Sequence, residues 1–239
     1  MNTIKFEKKN VLVVAHRGLS GIETENTNSA FVAAGNRSYY GIETDIHRTA
    51  DGKFVVNHDD TLERVAGENI NVENTKLEDI QSVILFDKDE TKSRKDLRPT
   101  TLENYISICK KYEKHCILEL KSDFTEEETE AFINIIKSLD YLDHVTFISF
   151  KYQTLVNVRK FLPNHPVQYL FMEFTDEVKE RLARDKFDVD VYYKTLTRDI
   201  IDKLHAFGLT VNSWTVDDKD AAERLAEWGV DYITTNILE

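Results

Sequence analysis

The sequence predicts an α/β fold, a (β/α)8 TIM barrel. Three observations carry that expectation. Short β-branched runs alternate with amphipathic segments almost to the last residue, as parallel strands joined by crossover helices do. The alternation places strands near 11–15, 41–46, 115–120, 144–149, 166–171, 187–193, 209–214 and 230–234, which suits a closed barrel better than an open doubly wound sheet. The 239 residues, 41% of them hydrophobic, suit one domain with one large core, so 1–239 is read as a single barrel domain.

The elements follow in order. The first strand is the apolar run Val11–Ala15, which stops at His16-Arg17-Gly18, and a helix over about 26–39 starts in "ENTNSAF". The second strand lies in "GIETDIH", and "KFVVNH" reads as a hairpin strand beside it. Residues 61–98 are then too long and too polar for an ordinary connection, and on length alone are a functional loop, a disordered segment or an inserted subdomain. Helices near 101–113, 125–139, 151–161, 176–185, 198–206 and 218–228 fill the remaining gaps, and no further helix is expected before the chain stops at Glu239. Thr125 with Glu128, and Thr75 with Glu78, have the S/T-x-x-E spacing that caps a helix N-terminus.

Bulk properties exclude several partners. A net charge of −12 with no basic run argues against nucleic acid and against an anionic membrane surface, since both need clustered cations. Cys109 and Cys116 lie in apolar surroundings without zinc-ligand spacing, so they read as core thiols of a reducing compartment. No apolar stretch is long enough for a signal peptide or a membrane span, and a cytoplasmic location is expected.

In such a barrel, functional groups come from the C-terminal ends of several strands. Glu43 and Asp45 are two residues apart on one strand, so both point to one face, their Cα atoms roughly 6.6 Å apart. A parallel barrel strand is covered on both faces, which makes a solvated pair costly. Two buried carboxylates are tolerable if one is protonated or if a divalent cation sits between them, and hard oxygen ligands suit Mg²⁺ or Ca²⁺. Glu119 and Lys121 repeat the spacing on the third strand. They make either a plain core ion pair or a third acidic ligand with an ammonium left for an anion. His16 and His58 each follow an apolar run and together form a candidate acid/base pair. The other histidines lack such a context; His47, two residues beyond Asp45, is the one with a chance of facing the same mouth.

These residues resemble the glycerophosphodiester phosphodiesterase family. The matching blocks are "HRG" at 16–18, "ENT" at 25–27, "ETDIHRTADG" at 43–52, "HDDTLERV" at 58–65, "PTTLE" at 99–103, "LELK" at 118–121, "SF" at 149–150, "WTV" at 214–216 and "GVDYITTN" at 229–236. Each is weak alone, but their order and spacing span nearly the whole chain. The resemblance implies a catalytic barrel that hydrolyses a small-molecule glycerophosphodiester to glycerol 3-phosphate and an alcohol. It also implies one divalent metal, Mg²⁺ or Ca²⁺, and a family-type insertion at 61–98. Carried over by position, His16 and His58 are the general acid/base pair, Glu43, Asp45 and Glu119 the metal ligands, and Arg17 and Lys121 the phosphate contacts. A cyclic phosphate intermediate, formed by attack of the neighbouring glycerol hydroxyl, is implied as well. Thr24 stands before Glu25, where the family usually has Pro ahead of "ENT", and Phe54 where it often has Pro; neither is a chemical position.

Two other readings compete. A related barrel phospholipase, of the phospholipase D or phosphatidylinositol phospholipase C type, would want an exposed apolar mouth, and the polar 61–98 segment argues against it. A non-catalytic phosphodiester-binding barrel would be expected to have lost one of the seven chemical residues. Phe150, Glu173, Lys194 and Trp214 are candidates for lining the substrate's alcohol side, with core packing the plain alternative for the two aromatics.

Overall fold

A computed structural model describes residues 2–239. The strands are β1 (Leu12–Ala15), β2 (Gly41–Arg48), β3 (Phe54–Val56), β4 (His115–Leu120), β5 (Val145–Ser149), β6 (Val167–Phe171), β7 (Asp188–Tyr192), β8 (Val211–Trp214) and β9 (Tyr232–Thr235). All but β3 run parallel in one sheet of order β1-β9-β8-β7-β6-β5-β4-β2, and β1 also pairs with β2, which closes the ring. The short β3 pairs antiparallel with the far end of β2. The chain is therefore an eight-stranded parallel barrel, as its periodicity predicts.

The helices are α1 (Asn28–Gly35), α2 (Glu63–Ala66), α3 (Leu77–Ser82), α4 (Leu102–Lys111), α5 (Glu126–Ser138), α6 (Tyr152–Phe161), α7 (Asp176–Asp185), α8 (Arg198–Ala206) and α9 (Lys219–Trp228). Their starts are chemically marked. The hydroxyls of Thr27, Thr101, Thr125, Thr175 and Thr197 and the carboxylate of Asp218 each accept from a first-turn amide. Thr125 and Glu128 complete the expected capping box. The second expected box does not form. Helix α3 starts one residue later, with Lys76 at the cap, and the Thr75 hydroxyl donates instead to the Asn71 carbonyl. A local turn captured that side chain before the helix did.

Each barrel strand is buried on two faces, and the alternation of side chains sorts them. Val13, Ala15, Ile42, Leu118, Phe147, Val189 and Val191 pack outward against the helices in the main core, where Cys109 and Cys116 lie fully buried as free thiols. Val14, Ile117, Ile148 and Leu170 fill the barrel interior with Trp214 and Tyr232. By the two-residue period, His16, Glu43, Asp45, Glu119, Asp190 and Thr234 share that inner face, one or two steps nearer the C-terminal mouth. The strand ends thus turn a packed core into a polar cup.

Residues 57–101 connect β3 to α4. Leu62, Val65, Ala66, Val72, Ile80, Val83, Leu85 and Leu97 there form a small apolar cluster with Val55, separate from the main core. That secondary packing is why so polar a segment holds a shape at all. No helix among the described residues is long and apolar enough to cross a membrane.

Candidate active site

The mouth is assembled from β1, β2 and β4 on one side and from β5 to β9 on the other. The β1 end turns sharply because Arg17 and Gly18 both adopt left-handed backbone, φ 53° and 77°. At Gly18 any Cβ would meet the backbone of Ala30 at 2.7 Å, so only glycine fits there. The turn lets the Arg17 amide donate to Glu43 Oε2 at 2.8 Å and brings Asn26, also left-handed at φ 56°, under the β2 carboxylates. Non-glycine residues held in this region are uncommon and mark places where tertiary structure overrides local preference.

Glu43, Asp45 and Glu119 lie 3%, 0% and 8% exposed, and one carboxylate oxygen from each falls within 4.8 Å of the others. Burial, followed by the charges of Asp45 and Glu119, pushes the Glu43 carboxyl well above the usual range. Glu119 is pushed up to about 7 by burial and then by Asp45, against the pull of Lys121. Burial would raise Asp45 too, but Arg17, His58, Lys121 and the Asn26 amide outweigh it and bring its pKa to about 2. Asp45 Oδ1 is nevertheless buried with no hydrogen-bond partner. Three inward hard-oxygen donors, one with an orphaned lone pair, fit a divalent cation.

The cations of the site are tethered around this cluster. Arg17 donates through NH1 to Glu25 Oε1 at 2.8 Å, and its Nε lies 3.6 Å from Asp45 Oδ2. Asn26 Nδ2 donates to the same Asp45 oxygen at 2.9 Å, held in turn by the Thr44 hydroxyl on its Oδ1. Lys121 Nζ donates to Glu119 Oε1 at 2.9 Å and lies 3.8 Å from Asp45 Oδ1, so Glu119 belongs at once to an ion pair and to the carboxylate cluster.

Two imidazoles line the same cavity as this cluster. His16 Nδ1 lies 2.8 Å from Asn236 Oδ1, which also accepts from Ser20; this sets Nδ1 as the protonated nitrogen and leaves Nε2 turned toward Glu43 at 4.0 Å. Asn236 is itself gripped by Asp217, which accepts from its Nδ2 at 2.6 Å and its backbone N–H at 2.7 Å. Burial, then the Arg17 charge, lowers His16 to about 4, so the ring is neutral near pH 7. His58 Nδ1 lies 2.6 Å from Asp59, which accepts from Arg64 Nε, and Arg64 in turn clamps Glu25 with two bonds. Burial also lowers His58.

The opposite wall is largely apolar. His16, Arg17, Glu43, His58 and Glu119 share a cavity of about 70 Å³ with Ile148, Phe150, Leu170, Asp190, Trp214, Thr215 and Thr234. Phe150 packs edge-on to Trp214 with ring centroids 5.6 Å apart and is 41% exposed, so it belongs to the rim and not to the core. Glu173 and Lys194 are exposed and do not line the cavity, because both follow the last inward-facing position of their strands. His47 also turns away: it is buried with Nδ1 3.5 Å from Glu73 of the 57–101 segment. Neither motif nor spacing marks Asp190 or Asp217, and although Glu25, Asp59 and Arg64 lie in matched blocks, their pairing across up to 39 residues has no local signature.

A closed parallel barrel whose mouth gathers buried carboxylates, two imidazoles and two cations around one small cavity defines a barrel phosphodiesterase. Comparison with known proteins gives the same class. Residues 16–239 match the Glycerophosphoryl diester phosphodiesterase family, and the chain belongs to it. A glycerophosphodiester phosphodiesterase of Caldanaerobacter subterraneus subsp. tengcongensis is 29% identical, covering 94% of this chain and 93% of its own. Among solved structures, an Oleispira antarctica phosphodiesterase in complex with the product sn-glycerol-3-phosphate superposes with a TM-score of 0.85. It is 25% identical and covers 94% of this chain and 92% of its own. A glycerophosphodiester phosphodiesterase from Parabacteroides distasonis gives 0.79 at 27% identity, with 96% and 94% covered.

Proposed function

We propose that the protein hydrolyses glycerophosphodiesters to glycerol 3-phosphate and an alcohol with one divalent cation, Mg²⁺ or Ca²⁺, held by Glu43, Asp45 and Glu119. A cluster of three buried carboxylates, two of which line one cavity with two imidazoles and the Arg17 guanidinium while Lys121 stands beside the cluster, carries this reading. A bound cation supplies positive charge to the non-bridging phosphate oxygens and acidifies a nearby hydroxyl. Arg17 and Lys121 add fixed positive charge on either side of the same anion. His16 and His58 serve as general acid and base. One takes the proton of the glycerol hydroxyl next to the phosphate as its oxygen attacks phosphorus; the other protonates the leaving alcohol as the P–O bond breaks. Water then opens the cyclic phosphate with the two roles exchanged. Asn236 and Asp59 keep each ring in one tautomer throughout.

Residues 61–98 are taken as the family-type insertion within a single catalytic domain, bringing Arg64 to the site from outside the barrel. Phe150 and Trp214 form the rim against which the alcohol leaves. The substrate is a small molecule, with no nucleic acid partner, and the compartment is the cytoplasm.

The test is release of glycerol 3-phosphate from a panel of glycerophosphodiesters under Mg²⁺, Ca²⁺ and EDTA. Turnover that needs one of the metals and disappears in His16→Ala and His58→Ala supports the reading. Turnover that persists in EDTA, or a metal-loaded enzyme that cleaves no glycerophosphodiester, rejects it.

A further inference from the structure

The inner wall carries one group that the proposed chemistry leaves unused. Asp190 lies midway along β7 and is 1% exposed, yet it lines the cavity. Among the described residues, Asp45 Oδ1 and Asp190 Oδ1 are the buried carboxylate oxygens left without a hydrogen-bond partner. Asp45 is accounted for by the cation cluster. Asp190 has no lysine or arginine within salt-bridge distance, and the charge that most affects it is the like charge of Glu119.

Its neighbours are already committed. Asn212, paired with Asp190 in register, donates to Gln168 and accepts from Ser213 and Thr234. Trp214 spends its indole N–H on the Asp190 carbonyl at 3.3 Å. Leu170, the register partner on β6, is apolar. Leaving a buried carboxyl oxygen without a partner is unfavourable, so a group kept that way on a cavity wall points to a ligand that pairs with it.

Position says which partner. Around the ring, β7 stands three strands from β4 and four from β2, across the barrel from Glu43, Asp45 and Glu119. A phosphate seated on that cluster with its neighbouring hydroxyl leaves one end of a glycerol unit free to reach the far wall. Phe150, 41% exposed, and Trp214 form the rim of the same cavity, so the variable alcohol stays toward them. Building on the phosphodiesterase reading above, we infer that Asp190 is a specificity-determining residue that hydrogen-bonds the terminal hydroxyl of the substrate's glycerol, the hydroxyl that takes no part in the reaction.

A pair of substrates isolates that contact. Sn-glycero-3-phosphoethanolamine carries the terminal hydroxyl; the matched diester built on propane-1,2-diol keeps the attacking hydroxyl and lacks the terminal one. The wild-type enzyme is expected to prefer the first by about ten-fold in kcat/KM, the scale of one buried hydrogen bond. Asp190→Leu, or Asp190→Ala where leucine does not fold, is expected to bring that preference to about one. The loss falls on the glycerol diester, whereas general damage to the fold would slow both substrates alike. Asp190→Asn, which keeps a donor and an acceptor in the same place, is expected to retain the preference within about three-fold.

The inference is overturned if Asp190→Leu or Asp190→Ala keeps the wild-type preference. It is also overturned if either variant raises the metal concentration needed for half-maximal rate while the preference stays, which would make Asp190 a cation ligand. In both cases the wild-type still releases glycerol 3-phosphate and the proposed function stands. If the wild-type cleaves neither diester, the function itself falls and the inference with it.

Discussion

The two halves of the barrel mouth differ in kind. On the side of β1, β2 and β4 nearly every polar side chain is tied to another: His16 to Asn236, Arg17 to Glu25, Asn26 to Asp45, Lys121 to Glu119. On the side of β5 to β8 the wall is Ile148, Phe150, Leu170 and Trp214, with Asp190 as its solitary acid in the cavity. Charge that must act on a phosphate is preorganised by bonds made before the substrate arrives, whereas the wall that sorts substrates is shaped mainly by packing. Damage to the first half should therefore abolish rate, and damage to the second should redistribute it among substrates.

The largest effect is expected at the imidazoles. His16→Ala and His58→Ala should each lower kcat about 10² to 10⁴-fold while thermal melting stays near wild-type. A diester with a p-nitrophenol leaving group, which needs no proton to depart, should rescue one variant and not the other, and the rescued residue is the general acid. Equal behaviour of both variants would argue against divided roles.

Cation removal comes next, and its pH dependence has a definite sign. Burial and like charge raise Glu119 to about 7 and hold Glu43 well above its usual value, so without a cation their contribution to stability is fully present below about 4.5 and is lost as pH rises through the folded pKa. A divalent cation relieves that repulsion by competing with the protons. Melting curves should show a larger stabilisation by Mg²⁺ or Ca²⁺ at pH 8 than at pH 5; an equal shift at both would count against these carboxylates as the binding site. His16, lowered to about 4, acts in the opposite sense: its neutral form stabilises the fold above the unfolded value of 6.5, and that contribution is lost as pH falls toward 4.

Positioning should matter less than chemistry. Asp217 touches no part of the cavity, yet it fixes Asn236, which fixes His16. Asp217→Ala is expected to lower kcat about ten-fold with KM nearly unchanged, the scale of one charge-assisted hydrogen bond, and to move the acid limb of the pH profile. A change in KM alone would remove Asp217 from the proton-transfer machinery. The smallest effect is expected at the rim: Phe150→Ala should alter kcat/KM by roughly five-fold or less, and unequally among alcohol groups.

Most of the barrel is legible in the sequence because parallel strands and amphipathic helices have distinct periods. The expected bounds of β4, α7 and α8 match those observed, and the other barrel elements differ only at their ends. His16, Glu43, Asp45, Glu119 and Lys121 are legible as a group because each interrupts an apolar run near its C-terminal end. Asp190 is not, since "DVDVY" reads as an ordinary strand with a wet face, and only closure of the ring turns that face into the inside of the barrel. The Thr75 cap fails for a subtler reason: two local hydrogen-bond patterns fit the same residue, and spacing does not rank them.

The barrel closes by laying β1 against β9, which sets the His16 amide on the Thr235 carbonyl and its ring on Asn236. The His16 ring is thus seated by a residue 220 positions further along the chain. A truncation that removes residue 236 would unseat His16 even where most of the barrel still forms, so loss of the last strand's end would be felt at the end of the first.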